Sequence, residues 1–464
     1  MRKLDELKNI ADSNLEKLDL SQEAKLRLKK EVKKTDRISI KKLGFIGIPA
    51  VAAVIAFMMM YTGIFSQAPS KVYASDLMKG ITPQKVETTL LSDDFLKSTA
   101  DFSVDLFKNS YTKGKNSLIS PTSVYLALGM TANGADGNTL KEFEVLLGKY
   151  NIKTKDLNVY YNGLAKKLTN TVSGKIHIGN SIWYRQDTNL NIKKNFLQTN
   201  ADYYGAAAYQ KDFNSKRTLD DINNWVKSNT HNLIDKIIDK IDANTLMYLI
   251  NTIYFEDQWQ EPYAKDEVRK APFMLQDGTT KTVEFMHSEE IGYLKDAKAQ
   301  GFIKPYKDGK YSFVALLPNE GVSLDNYVNS LSGENFVNLL KNSSKGTVSA
   351  DLPKFKSDYK IELVEPLKQM GLKDCFDEVT ANFTKMADSK PGDVYVGDVL
   401  HKTFITVDTD GTKAGAVTKI QMQYKGLPAE ASHKIILNRP FVYAIVDNET
   451  YLPLFIGTMT NPEI

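Results

Sequence analysis

The sharpest break in the hydrophobic pattern comes early: residues 43–65 contain no Asp, Glu, Lys or Arg. An apolar run of that length can cross a bilayer as a helix, and Pro49 in its first third is tolerated in such helices. The preceding residues 1–42 place Leu4, Leu7, Leu15, Leu18, Leu26 and Leu28 among many charges, a pattern that reads as helical. Residues 66–90 read as a linker, and 91–464 as a globular domain. Near the domain's start, Phe95, Thr99, Phe102 and Leu106 recur at the spacing of one helical face.

Further on, residues 220–241 read as helix and 246–255 as a buried apolar strand. Strand-like runs dominate late in the chain, at 403–407, 434–437, 441–446 and 452–459. Without repeats or low-complexity linkers, this order predicts a single α+β domain of large mixed sheets, preceded by one transmembrane helix.

Charge orients that helix. Residues 1–42 carry 13 Lys and Arg against 8 Asp and Glu, with Lys33, Lys34, Arg37, Lys41 and Lys42 crowding its start. Residues 66–75 hold only Lys71. The positive-inside rule therefore predicts a single-pass protein of the cell membrane, with a cytoplasmic tail and an extracellular domain. The competing reading is a secretory signal cleaved near Ala74, after Val72-Tyr73-Ala74. The 42-residue tail is longer than a signal's charged region, which favours the anchor.

Composition narrows the chemistry. A net charge of +4 over 464 residues predicts no nucleic-acid partner. The single cysteine, Cys375, excludes an internal disulfide and reads as a buried thiol. The histidines, His177, His231, His287, His401 and His433, contain no His-x-x-x-His pair. Hydrolase serine elbows and nucleotide-binding glycine loops are also missing from the sequence. The expectation is a protein without catalytic residues, metal or cofactor.

The informative segment is 410–433. From 412 to 424 the even positions run Thr412, Ala414, Ala416, Thr418, Ile420, Met422, Tyr424. The odd ones are Lys413, Gly415, Val417, Lys419, Gln421 and Gln423, mostly polar. Such period-two alternation marks a strand with one buried and one wet face. It runs directly into Lys425-Gly426-Leu427-Pro428, which offers a trypsin-type cleavage residue. A strand-competent segment ending in protease bait is unusual, although an ordinary strand leading to a long loop has the same pattern.

The flanking sequence resembles the serpin family from about Asp94 to Pro462. Asn116-Ser-Leu-Ile-Ser-Pro-Thr-Ser-Val124 is similar to that family's Asn-x3-Ser-Pro-x-Ser, and Gly134-Ala-Asp-Gly-Asn-Thr139 to its Gly-Ala-x-Gly-x-Thr turn. Leu249-Ile-Asn-Thr-Ile-Tyr-Phe255, followed by Trp259, resembles its Asn-x-Ile-Tyr-Phe strand. Leu352-Pro-Lys-Phe355, Met370-Gly-Leu-Lys-Asp-Cys-Phe376, Asn438-Arg-Pro-Phe-Val442, Leu454-Phe-Ile-Gly457 and Asn461-Pro462 follow in family order. Each motif is weak alone; together they are specific.

The resemblance implies the serpin fold, three β-sheets with surrounding helices and an exposed reactive-centre loop. It implies a suicide-substrate inhibitor of trypsin-like or subtilisin-like serine proteases, a covalent acyl complex with the protease as partner, and otherwise a monomer. The alternative is a non-inhibitory serpin serving as a binding or scaffold module. Carried over by position, the hinge is Gly411, Thr412, Lys413, Ala414, Gly415 and Ala416, and the reactive bond is Lys425–Gly426. Ser120, Ser123, Asn251 and His401 fall on the shutter, and Trp259 near the breach, where the loop begins to insert. The sequence departs from the family at Thr409 and Asp410, where Glu usually comes first, and at Lys413, usually Glu; these positions bear on how the closed breach is latched.

Overall fold

The structure is a computed structural model and describes residues 75–463 apart from 88, 173, 187–189, 243–244 and 413–431. The expected membrane span 43–65 and the tail before it lie outside the described residues. Among the described residues, no helix is long and apolar enough to cross a membrane.

Helix α1 (Asp93–Ser110) begins at Ser92, whose Oγ accepts from Phe95 N at 3.2 Å. Asp93 and Asp94 in its first turn and Lys108 in its last complement the helix dipole. Its buried face includes Phe95, Thr99, Phe102 and Leu106, as the spacing predicts. Helix α2 (Pro121–Ala132) is buried at all twelve positions and runs through the centre of the core. Pro121 starts it without losing a helical hydrogen bond. Helices α3 (Gly137–Leu147), α4 (Thr154–Thr169), α5 (Lys194–Tyr204) and α6 (Lys216–Asn229) follow.

One seven-stranded sheet has the order β1 (Ser75–Asp76), β4 (Ala207–Lys211), β3 (Lys175–Arg185), β5 (Met247–Gln258), β13 (Gly411–Thr412), β12 (Asp398–Val407), β11 (Phe355–Glu362). In place of the three sheets expected, the described strands form two, because β7 is long enough to ladder with both β10 and β8 and joins the remainder into one: β14 (His433–Ile436), β10 (Ser344–Pro353), β7 (Thr280–Lys295), β8 (Ala299–Pro305), β9 (Tyr311–Pro318), β15 (Phe441–Asp447), β16 (Pro453–Met459), β2 (Ser117–Ile119), with β6 (Val268–Met274) paired to β7. The main core includes Phe255, Phe313, Tyr443 and Phe455 together with α1 and α2.

Along β12, burial alternates strictly: Val399, His401, Thr403, Ile405 and Val407 face the core. Its other face packs outward. Leu400 and Phe404 lie against a second apolar cluster containing Trp183, Ile222, Trp225, Tyr248 and Ile250. Ile234, Ile237 and Ile238 complete this outer cluster, and Lys402 Nζ donates to the Lys236 carbonyl at 3.2 Å.

The helix expected over 220–241 is therefore corrected: α6 stops at Asn229. His231 and Asn232 adopt left-handed φ of 50° and 64°, which no α-helix continues through. The isoleucines beyond still fill an apolar surface, and their spacing imitates a helical stripe.

Candidate functional site: a strand gap and the root of a loop

Strands β5 and β12 run parallel at the centre of the seven-stranded sheet. They pair from Asp398↔Tyr248 to His401↔Asn251. Each is laddered on its far side, β5 with β3 from Met247 to Glu256 and β12 with β11 from Leu400 to Val407. Beyond His401 the two part. Among the described residues, 252–256 of β5 and 402–406 of β12 form no ladder with each other. The gap is closed at its far end by β13, where Gly411 opposes Gln258 and Thr412 opposes both Asp257 and Val407.

The shutter residues lie where the parallel ladder ends. His401 is 1% exposed, and its Nε2 accepts the Ser120 backbone N–H at 3.0 Å. Burial lowers the imidazole pKa from 6.5 to about 4. The ring is therefore neutral at pH 7, with its proton on Nδ1. Asn251 Nδ2 donates to Asn180 Oδ1 at 2.6 Å, and Thr403 Oγ1 donates to the Leu118 carbonyl at 2.7 Å. Ser123 is buried on α2, near Ser120 at its start.

All four shutter side chains hold a buried polar atom with no protein partner: Ser120 Oγ, Ser123 Oγ, Asn251 Oδ1 and His401 Nδ1. Each orphan of this kind costs about 1–3 kcal/mol. The junction thus gathers four such atoms among the described residues.

At the opposite end, Trp259 and Tyr263 hold the loop's root. Trp259 Nε1 donates to the Asp408 carbonyl at 2.8 Å. Its backbone N–H reaches the Asp410 carbonyl, and Tyr263 N the Thr409 carbonyl, both at 2.9 Å. The Trp259 indole stacks on Tyr306 at 4.7 Å between ring centres. The Tyr306 hydroxyl meets Thr412 Oγ1 at 2.5 Å.

Gly411 is required by proximity: a Cβ there would lie 2.2 Å from the Asp257 carbonyl oxygen. Asp408 Oδ1 accepts from the N–H groups of Asp410 and Gly411. Thr409 and Asp410, two of the departures from the family pattern, thus contribute backbone carbonyls to the latch. Nearby Lys354 pairs with Glu284 at 3.0 Å.

The predicted residues therefore gather at two places on one seam, Ser120, Asn251 and His401 at one end and Trp259, Gly411 and Thr412 at the other. Lys413, Ala414, Gly415, Ala416, Lys425 and Gly426 lie outside the described residues. Asn180, Tyr263, Thr403 and Tyr306 went unrecognised in the sequence. Asn180 carried a signal, as an amide followed by the apolar run Ile182-Trp183-Tyr184 in a strand; Tyr306 carried none. Cys375 is buried and unbridged, and burial pushes its thiol pKa well up.

Residues 97–462 match the family model described as Serpin (serine protease inhibitor). The leukocyte elastase inhibitor of Equus caballus is 30% identical over 383 residues, which cover 79% of this chain and 99% of the relative. The thermophilic serpin tengpin in its native state superposes with a TM-score of 0.80 at 46% identity, over 84% of this chain and 99% of tengpin. Thyroxine-binding globulin in complex with thyroxine, 24% identical, shares the fold with a TM-score of 0.70 over 80% of this chain and 99% of its own. With the family model matched over residues 97–462, the chain belongs to the serpins.

Proposed function

We propose that the chain is a suicide-substrate inhibitor of serine proteases, acting by cleavage after Lys425 and insertion of the preceding segment between β5 and β12. The observation that carries this is β13. The first two hinge residues are already seated, hydrogen-bonded on both sides, above a stretch where the flanking strands do not pair. Continuing the same antiparallel register would bring Ala414 opposite Ile405 and Phe255, Ala416 opposite Thr403 and Ile253, and Thr418 opposite His401 and Asn251. Those partners all face the core. The even-numbered residues would be buried, as their small and apolar character requires, and Lys413, opposite Glu256 and Thr406, would face water. Thr418 would bring a hydroxyl to the orphaned Nδ1 and Oδ1 of the junction.

A new central strand of about a dozen residues gains roughly 1 kcal/mol net per hydrogen bond, so insertion releases on the order of 10 kcal/mol. Serpin loop insertion is an established example of strand addition and switching. The serine nucleophile belongs to the protease, which forms an acyl-enzyme at Lys425 and is carried along before water hydrolyses it. A lysine there suits an acidic specificity pocket. The serpin itself supplies no catalytic group.

The family fold also serves binding proteins, as thyroxine-binding globulin shows for itself. Small residues at 414–416 oppose a purely binding role here, because they admit the segment between packed strands without overpacking. Incubation with trypsin decides between the two: a covalent complex stable to SDS and heat is expected. Cleavage at Lys425 without a complex would leave only the binding-module reading.

A further inference from the structure

Next to residues 408–412 lies a buried ion pair. Lys304, near the end of β8, is 1% exposed, and Glu290 on β7 is 6% exposed. Lys304 Nζ meets Glu290 Oε1 at 2.7 Å and donates to the Glu261 carbonyl at 3.2 Å. The same ammonium group lies 4.3 Å from the centre of the Tyr263 ring and 5.5 Å from that of Trp259. It therefore touches three residues of the 259–263 turn. That turn holds the root through the N–H groups of Trp259 and Tyr263.

The two residues after Lys304 act on the same turn. The Pro305 carbonyl accepts from Gln260 N at 3.0 Å. Tyr306 stacks on Trp259 and bonds Thr412. Replacing a buried ion pair with well-packed apolar side chains is often neutral or stabilising, so general stability does not explain a pair at this place. A charged donor aimed at one carbonyl does something an apolar contact cannot: it fixes where that carbonyl sits.

We propose that Glu290 and Lys304 are positioning residues for the root. Glu290 holds the Lys304 ammonium group, which pins the 259–263 turn, and the turn keeps Asp408, Thr409 and Asp410 at the head of the gap. The pair thereby sets how readily the gap admits the loop before any cleavage. This consequence rests on the insertion reading above; the positioning itself does not.

Hydrogen exchange of the full chain, read on the peptide spanning residues 256–264, tests it. The charge-free double variant Glu290→Gln/Lys304→Met retains the volume but loses the charged donor to Glu261. Loss of such a bond is expected to speed exchange in that peptide about tenfold or more, with distant peptides unchanged. Conversion of the uncleaved protein on warming to a form that no longer captures trypsin should accelerate by a similar factor. Lys304→Arg, which retains charge and donors, should keep both near the starting values. Unchanged exchange at 256–264, or equal acceleration along the whole chain, would overturn the proposal. If the double variant does not fold, Glu290→Asp is read the same way: acceleration confined to 256–264 supports the assignment, and a uniform or absent change removes it. If the unaltered protein neither captures trypsin nor converts, the insertion reading fails while the exchange comparison still decides the positioning role.

Discussion

His401 should make the intact protein acid-sensitive in a calculable way. Its imidazole is fully buried and donates nothing to the Ser120 N–H that it accepts, so burial drives its pKa from 6.5 to about 4. Between these values the unfolded chain binds a proton that the folded chain refuses. Stability therefore rises with pH across this window; it is fully present above pH 6.5 and lost as pH falls towards 4. Each unit is worth about 1.4 kcal/mol, so from pH 6.5 to 5 the loss attributable to His401 is about 2 kcal/mol. The assay is urea unfolding of the intact protein at a series of pH values, beside His401→Gln, whose side-chain oxygen can still accept from Ser120. The variant should lack this increment, and the difference between the two curves isolates it. Parallel curves would refute the reasoning, since they would mean that His401 charges without cost where β5 and β12 meet.

Thr412→Arg should convert the inhibitor into a substrate, because a guanidinium cannot be buried where Thr412 is 1% exposed; titration of trypsin activity reads the outcome, and undiminished inhibition would contradict an inward-facing position 412. Gly411→Ala should lower the unfolding free energy in urea by about 1–3 kcal/mol, since its Cβ meets backbone that cannot rotate away; an unchanged midpoint would show that the strands yield there. For the segment 43–65, protease added to intact cells should remove the C-terminal domain if it is an anchor, whereas domain found in the medium would indicate cleavage near Ala74.

Legibility in the sequence followed from how one-sided each element is. Strands β15 and β16 are buried throughout and were located to within a residue or so, whereas β12, which buries alternate residues, begins at Asp398, ahead of the expected 403. Helix α1 announced one buried face. Helix α2 did not, since a helix buried all round has no periodicity to detect, and only its Ser-Pro-Thr-Ser start pointed to it. The 220–241 stretch misled because Ile234, Ile237 and Ile238 keep helical spacing after the chain has turned at His231 and Asn232. Shutter and breach residues were legible through the family resemblance. Their partners Asn180, Tyr263 and Tyr306 were not, because each comes from a strand or turn whose neighbour across the seam is fixed only by tertiary register. Strands β6 and β7 were missed for a related reason: they mix exposed lysines with buried aromatics and give no single period.

The outer apolar cluster has a consequence for timing. Its members come from both sides of the seam, Tyr248 and Ile250 from β5 on one bank, Leu400 and Phe404 from β12 on the other, with the isoleucines after α6 laid across them. Lys402 is fastened to Lys236 over the same line. Widening the sheet therefore means peeling a greasy strap off both banks before the centre can yield. Under the proposed insertion, trapping a protease ahead of hydrolysis would then depend partly on this outer patch of side chains.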